Sequence, residues 1–117
     1  MSRNKKWAAD DVRAILINPI TTGIPPFPQL MSDDDWISAQ ERRIDRDRED
    51  VRQYFTDMLS WLRKSFDGVK DSPACIDPSR ITDDEWVAAH VESVKQHGTR
   101  KAMQMLLQEL RTETDHA

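Results

Sequence analysis

Apolar residues recur at helical spacing in five stretches of the chain, and no stretch alternates apolar and polar residues over the length of a strand. The clearest stripe advances in steps of one, three and four residues, which is typical of one buried helix face. It consists of Val51, Tyr54, Phe55, Met58, Leu59, Leu62 and Phe66. The pattern predicts an all-α protein.

Two stretches share a pattern that predicts a duplicated pair of helices. An Asp-Asp-Asp-Trp run at 33–36 follows a serine, and an Asp-Asp-Glu-Trp run at 83–86 follows a threonine. A hydroxyl residue with an acid three positions later is the signature of a capped helix start. Both stretches close on Leu-x-x-Leu-Arg, which ends at Arg63 and at Arg111. We therefore expect two related units, each with a tryptophan at the start of its buried face.

The predicted organisation is a short N-terminal helix and a packed proline-rich loop, followed by two duplicated helix pairs. The expected segments are a flexible N-terminus at 1–6, the helix and loop at 7–31, the first helix pair at 32–66, a linker at 67–81, the second pair at 82–111 and a frayed C-terminus at 112–117.

The N-terminal helix is expected to run from Trp7 to Ile17 and to bury Val12, Ile15 and Leu16, which share one face at helical spacing. It stops at an Asn-Pro pair, because the residue before proline avoids the α region. The loop that follows is expected to pack across the helices, since it is too apolar for a free linker. Its apolar residues are Ile20, Ile24, Phe27, Leu30 and Met31. The alternative is that this proline-rich loop is itself a ligand that binds in an aromatic groove of another protein.

The joint between the helices of the first pair is entirely charged over 45–50, and it is either a turn or a continuous helical bridge. The second pair favours a break, because Gly98 is typical of a helix end and Thr99 of a new cap. In that pair the expected buried residues are Trp86, Val87, Ala89, Val91 and Val94, then Ala102, Met103, Leu106, Leu107 and Leu110.

Composition indicates helices with wide solvated faces, since 38% of residues are hydrophobic and 32% are charged. The net charge of −4 argues against non-specific DNA binding, which depends on neutralising phosphates. The charge is uneven: residues 1–31 carry four basic and two acidic side chains, and residues 82–117 carry four basic and seven acidic ones. The single cysteine, Cys75, and the lack of a long apolar run predict a cytoplasmic protein.

The sequence offers no set of residues typical of catalysis, so we expect a protein that is not an enzyme and has no cofactor and no bound metal. His90 and His97 lie seven residues apart, too far along a helix to share one ion, and His116 stands apart from both. The acidic triplets lie at helix starts, where capping and the helix dipole account for them.

Trp61 is the residue most typical of a partner-binding surface. It lies off the centre of the Val51–Phe66 stripe, which predicts partial exposure, and Arg63 follows closely. Exposed tryptophan and arginine are frequent hot spots of protein interfaces. The sequence therefore predicts a protein–protein interaction or regulatory module, whose partner is another protein or a second copy of the chain.

Residues 7–43 resemble the closing segment of the recombinase domain of the large serine recombinases of bacteria. The likeness rests on the pattern Trp-x4-Val-Arg-x-Ile-Leu-x-Asn-Pro-x3-Gly from Trp7 to Gly23, then on the run at 32–36 and an Ala-Gln pair at 39–40. Thr21 stands where that family usually has an aromatic residue. The family's catalytic domain and zinc ribbon have no counterpart here, so the resemblance implies no strand exchange.

What the resemblance does imply is an alternative function, that of a DNA-binding accessory protein. Two basic groups would then contact phosphates: Arg3, Lys5, Lys6 and Arg13, and a second row of Arg42, Arg43, Arg46 and Arg48. Acidic residues at 45, 47 and 49 interrupt the second row. The whole chain is also similar to small helical proteins of actinobacteria, a likeness that implies a fold and no activity.

Overall fold

The fold is described by a computed structural model over residues 15–48, 50–70 and 72–114, with side chains as far as Thr112. Within these residues the helices are α1 (Asp33–Glu41), α2 (Val51–Ser65), α3 (Asp83–His97) and α4 (Thr99–Thr114). A π-helical turn, Arg42–Arg46, extends α1, and the 3-10 turns Pro19–Thr22 and Ala74–Ile76 precede α1 and α3. The described residues contain no strand, so the predicted all-α class is confirmed.

The caps at the starts of α1 and α3 are those that the sequence predicts. The Ser32 hydroxyl accepts a hydrogen bond from the backbone N–H of Asp35 at 3.0 Å. Thr82 and Glu85 form a complete capping box, in which each side chain binds the other residue's backbone N–H. These bonds satisfy amide groups that have no partner within the helix.

The helices pack across the two predicted units. Helix α1 lies against α4, and α2 lies against α3, while α3 and α4 also contact each other. The opening helix of each predicted unit therefore packs on the closing helix of the other. That the units arose by duplication stays a prediction.

Both tryptophans that follow the caps lie in the core. Trp36 is 0% exposed and Trp86 is 1% exposed. In each case the side chain one turn later binds the tryptophan's carbonyl oxygen: Gln40 Nε2 donates to Trp36 at 3.1 Å, and His90 Nδ1 donates to Trp86 at 2.7 Å. The two tryptophans thus share burial and this hydrogen bond, and Trp86 also packs edge to face on Phe55.

Most of the predicted core positions are buried as expected. All five of those in α4 are buried, as are the stripe residues of α2 after Val51, which is half-buried. In α3, Trp86 and Val87 are buried and Val91 and Val94 are half-buried. Ala89 was predicted to be buried and is exposed, because it faces an open groove between α3 and α4.

The Asn-Pro-x3-Gly part of the recombinase-like pattern shapes a tight turn. The Asn18 side chain accepts from the backbone N–H of Ile20 at 3.2 Å and donates to the Ser65 hydroxyl of α2 at 2.9 Å. Gly23 has a φ of 95°, and a Cβ there would lie 3.0 Å from the Gln29 Cβ. Glycine is required at this position for both reasons.

The predicted face of the N-terminal helix is wrong over the residues that the structure describes. Residues 15–17 are helical, but Ile15 is 48% exposed and Leu16 is 39% exposed, whereas Ile17 is fully buried. Gln40 Nε2 donates to the Leu16 carbonyl at 2.9 Å, and this bond, with those of Asn18, turns Ile17 inward. Val12 and the predicted helix start lie outside the described residues.

The proline-rich loop packs on the helices as predicted, with one exception. Ile24 is fully buried, and the Phe27 ring meets the Phe66 ring edge to face at 5.1 Å. Ile20 and Met31 also pack against the core. Leu30 is 74% exposed, contrary to the expectation, because its backbone turns back to the Thr21 carbonyl and leaves its side chain outside.

Both joints between helices are broken, as the second unit's sequence indicates. Arg48 has a φ of 56° between α1 and α2, and Gly98 has φ 84° and ψ 162° between α3 and α4, a conformation largely restricted to glycine. Thr99 was predicted to cap α4. It is instead the first helical residue, and its hydroxyl donates to Asp45 Oδ1 at 2.7 Å, so the two joints bind each other.

The central placement of the two tryptophans predicts a large loss of stability when either is removed. Trp36→Ala and Trp86→Ala should each lower the free energy of unfolding by about 3–5 kcal/mol, since each opens a cavity in the core. Trp61→Ala is the matched control, because Trp61 is only half-buried and should cost clearly less. Urea titration measures all three, and equal losses would contradict the assignment.

Candidate functional site

An open groove between α3 and α4 is one of several depressions in the described surface. Its volume is about 290 Å³, and small or apolar side chains form much of it. It is lined by Ala89, His90, Ser93, Ala102, Met105 and Glu109. Met105 is 42% exposed, and it also borders the next depression along α4. The groove is therefore apolar on its floor and polar along one edge.

The groove is present because α4 carries an alanine where α2 carries a tyrosine. Ala102 follows Tyr54 by the same 48 positions that separate the two Leu-x-x-Leu-Arg endings. Tyr54 donates its hydroxyl to Gln40 Oε1 on α1, and its ring is fully buried against Phe55. Ala102 has no such ring, so the space beside His90 stays open.

The polar edge of the groove is formed by His90 and Glu109. Nδ1 of His90 lies 2.7 Å from the Trp86 carbonyl, so that nitrogen carries a proton. Nε2 then faces the Glu109 carboxylate at 3.7 Å. The imidazole packs on the Trp86 indole at 4.0 Å between ring centroids, which fixes its orientation. This edge can hydrogen-bond a ligand that lies in the groove.

Metal binding finds no support in the part of the chain that the structure describes. Those residues contain no cluster of three or more histidine, cysteine, aspartate or glutamate side chains that could hold an ion. The acids at the helix starts are used within the fold, by caps and by arginines. The arrangement in the groove therefore supports binding of an apolar group beside a polar edge.

Two arginines at the ends of α2 and α4 hold the first turns of the opposite units. Arg111 binds both carboxylate oxygens of Asp33, at 2.7 and 2.6 Å, and the Thr22 carbonyl at 3.0 Å. Arg63 pairs with Asp83 and donates to two backbone carbonyls of the preceding loop. Each arginine therefore fixes where a capped helix begins.

A third arginine lies between these contacts and joins α4 to α1. Arg100 binds Asp34 at 2.9 Å, Ser38 at 3.0 Å and Glu41 at 2.8 Å, along one face of α1. The hydrogen bonds that Arg100 donates to Asp34 and Glu41 raise its pKa. The acidic face of α1 therefore binds α4 through Arg100.

The electrostatics of the Asp33–Arg111 pair follow from the same contact. The hydrogen bond from Arg111 lowers the pKa of Asp33 below its ordinary value of 3.8, although burial opposes the shift. The pKa of Arg111 is raised by the hydrogen bond with Asp33. At the second cap, bonds from Thr82 lower the pKa of Glu85.

The two residues predicted to bind a partner differ in how available they are. Trp61 is half-buried, and the Lys64 ammonium lies 4.5 Å from the centre of its ring. Arg63 uses its guanidinium for the contacts within the chain described above, and its predicted role in binding a partner stays a prediction. A partner-binding role for Trp61 stays a prediction.

The residues of the predicted DNA surface fall in two places. Arg42 and Arg46 are exposed on the π-helical turn, and Arg43 is half-buried there. Arg48 follows in the joint and is exposed. The first basic group, Arg3, Lys5, Lys6 and Arg13, lies outside the described residues.

The groove residues are those that sequence reasoning missed. Met105 has no role in the sequence-based predictions and Ala89 was predicted to be buried, whereas Ala102 is buried as expected. The signal was available in the comparison of the two units, where an alanine replaces a tyrosine at one buried position while the surrounding pattern is kept. The roles of Arg63 and Arg111 depend on contacts 20 and 78 residues apart, which spacing alone does not reveal.

Comparisons of the chain with models of protein families, with curated proteins and with solved structures found no match. Among the described residues, no helix combines the length and the apolar character needed to cross a membrane.

The Asp33–Arg111 pair predicts a pH-dependent contribution to stability. Arg111→Met should cost about 1–2 kcal/mol at neutral pH, because the pair is bidentate but partly exposed. The pKa of Asp33 is lower in the folded chain than its ordinary value of 3.8, so the contribution is complete above that value and is lost as the pH falls below it. Thermal melts at several pH values measure the difference.

The matched control is Arg52→Met, which removes an exposed arginine of α2. Its difference from wild type should be small at every pH. A difference for Arg111→Met that stayed constant from neutral pH to well below 3.8 would contradict the assignment of the pair.

Proposed function

We propose that the protein is a non-enzymatic protein-interaction module. The observation that carries the proposal is the outward face of the segment at 15–17. Ile17 and Asn18 fix this helix end to the core, yet Ile15 and Leu16 present large aliphatic side chains to solvent. Neighbouring exposed apolar residues on an ordered element are typical of a surface that a partner covers.

Trp61 lies on the same side of α2 as two residues that connect to this segment. Ser65, four residues later, accepts a hydrogen bond from Asn18. Tyr54, seven residues earlier, donates to Gln40, whose side chain binds the Leu16 carbonyl. Residues at this spacing share one helix face, so the half-exposed indole lies on the side of α2 that faces the 15–18 segment. A half-exposed aromatic ring on that side of α2 suits an interface core.

The use of the charged residues supports binding over catalysis. Arg63, Arg100 and Arg111 hold helices together, and the acids that they bind lie at or near helix starts. The charges that remain form solvated faces. Binding by a partly apolar surface therefore agrees better with the described residues than a reaction does.

The proposal predicts that partner capture depends on the 15–16 surface. Tagged full-length chain should recover the same binding protein, itself or another, as wild type and as Leu30→Glu, and should lose it as Ile15→Glu with Leu16→Glu. Leu30 is the matched control because it is the more exposed aliphatic residue but lies in the loop. Quantitative mass spectrometry measures recovery, and equal recovery by all three proteins would contradict the proposal.

A DNA-binding accessory function is the second candidate. Its support is the resemblance of residues 7–43 to the recombinase domain and the exposure of Arg42 and Arg46 on one turn. Acids in and after the turn, Asp45 and Asp47, reduce the local positive charge.

This second candidate predicts affinity that falls steeply with salt, because phosphate contacts release bound counterions. In fluorescence anisotropy with a labelled duplex, Arg42→Gln and Arg46→Gln should each reduce the slope of log affinity against log salt by about one. The absence of any anisotropy change at low salt would exclude DNA binding.

A further inference from the structure

The two joints between the paired helices meet at one end of the helix bundle. The hydroxyl of Thr99, which opens α4, donates to Asp45 Oδ1 in the turn after α1 at 2.7 Å. Residues 41–52 and 95–101 therefore lie together and form what we call the joint end. The capped starts of α1 and α3 lie at the opposite end of the same helices.

The joint end is basic although the chain is acidic overall. It carries eight basic and five acidic side chains, whereas the rest of the chain carries nine basic and sixteen acidic ones. Two of its acids are bound to the other joint, since Glu41 pairs with Arg100 at 2.8 Å and Asp45 accepts the bond from Thr99. Positive charge is thus concentrated where the joints meet.

Six cationic side chains of the joint end are exposed, and the described part of the chain holds none of them in a hydrogen bond or an ion pair. The first joint supplies Arg42, Arg46, Arg48 and Arg52, and the second supplies Lys95 and Lys101. Arg100 differs in this respect, because two carboxylates already bind it. The six cations are therefore available to an anionic ligand.

The joint end offers a ligand charge without apolar surface. The large apolar residues that are exposed in the described chain, Ile15, Leu16, Leu30 and Met105, all lie outside it. A protein interface usually has an apolar core, whereas contacts with a phosphate backbone need only cations and hydrogen-bond donors. Arginine, the commoner cation here, binds phosphate oxygens in pairs through its planar guanidinium. These features favour nucleic-acid phosphates over an acidic protein.

The composition of the joint end also favours a duplex over a single strand. Its two segments contain no tryptophan, tyrosine or phenylalanine. Proteins that bind single strands stack the bases on such rings, in addition to neutralising the backbone. A duplex keeps its bases stacked and presents a dense array of phosphates, about one charge per 1.7 Å of its axis.

We infer that the joint end binds the phosphate backbone of duplex DNA, with Lys95 and Lys101 of the second joint completing the arginine row of the first. The inference rests on the second candidate function and extends its contacts to residues that the sequence-based prediction did not include. Phosphate contacts carry no sequence information, so this surface binds duplexes of different sequence alike.

Fluorescence anisotropy of the full-length chain with a labelled DNA duplex, repeated at several salt concentrations, tests the inference. For the wild type the slope of log affinity against log salt should be about −5, because each phosphate contact contributes about −0.9. Lys95→Gln combined with Lys101→Gln should make the slope shallower by about two. The matched control, Lys64→Gln combined with Lys70→Gln, removes the same charge outside the joint end and should leave the slope unchanged. All four lysines are exposed, so circular dichroism should show folded chains.

Three results would overturn the inference in distinguishable ways. A slope that becomes shallower for Arg42→Gln and Arg46→Gln but not for the Lys95 and Lys101 variant would remove the second joint and leave the second candidate function standing. No anisotropy change at low salt would remove both, and it would leave the interaction proposed for residues 15–16 untouched. Displacement of the duplex by poly-glutamate as readily as by unlabelled duplex, at equal concentrations of negative charge, would assign the joint end to an acidic protein instead.

Discussion

The fold depends on packing between helices of opposite units, in which α1 lies on α4 and α2 lies on α3. Burial supplies most of the energy, because each core tryptophan contributes about 3–5 kcal/mol and the Asp33–Arg111 pair about 1–2 kcal/mol. The arginine pairs have a different effect. Arg111 can reach Asp33, and Arg63 can reach Asp83, only when each closing helix ends beside the other unit's cap. Burial therefore makes the helices associate, and the arginines select which ends meet.

The sequence contains enough to predict the helices, the caps and most of the core. Helical spacing identifies α2 and α4, and the hydroxyl-acid pairs identify the starts of α1 and α3. These features are local, so they can be recognised without knowing the packing. The breaks at the joints follow for the same reason, since Gly98 adopts a backbone conformation that few other residues can.

The difference at the N-terminal helix has its physical origin in a polar contact between distant residues. The spacing of Val12, Ile15 and Leu16 indicates an inward face, but Gln40 binds the Leu16 carbonyl from 24 residues away and turns Ile17 inward instead. Arg63, which was predicted to bind a partner, binds the carbonyls of Ile76 and Ile81 and the Asp83 carboxylate within the chain, and its role towards a partner stays a prediction. The groove could not be predicted from the sequence, because an alanine in a helical stripe usually indicates a core position. Only comparison with Tyr54 shows that Ala102 leaves space.

The same cross-packing places the surfaces on which function is proposed. The contacts of Gln40 and Asn18 point Ile15 and Leu16 outward. His90, which stands in α3 where Gln40 stands in α1, lines the groove between α3 and α4. Two double-mutant cycles test the packing most directly. One combines Asp33→Asn with Arg111→Met, the other combines Asp83→Asn with Arg111→Met, and urea unfolding measures the stability of every variant. Cross-unit packing predicts a coupling energy near 1 kcal/mol for Asp33 with Arg111 and almost none for Asp83 with Arg111. Coupling of Arg111 to Asp83 rather than to Asp33 would contradict it.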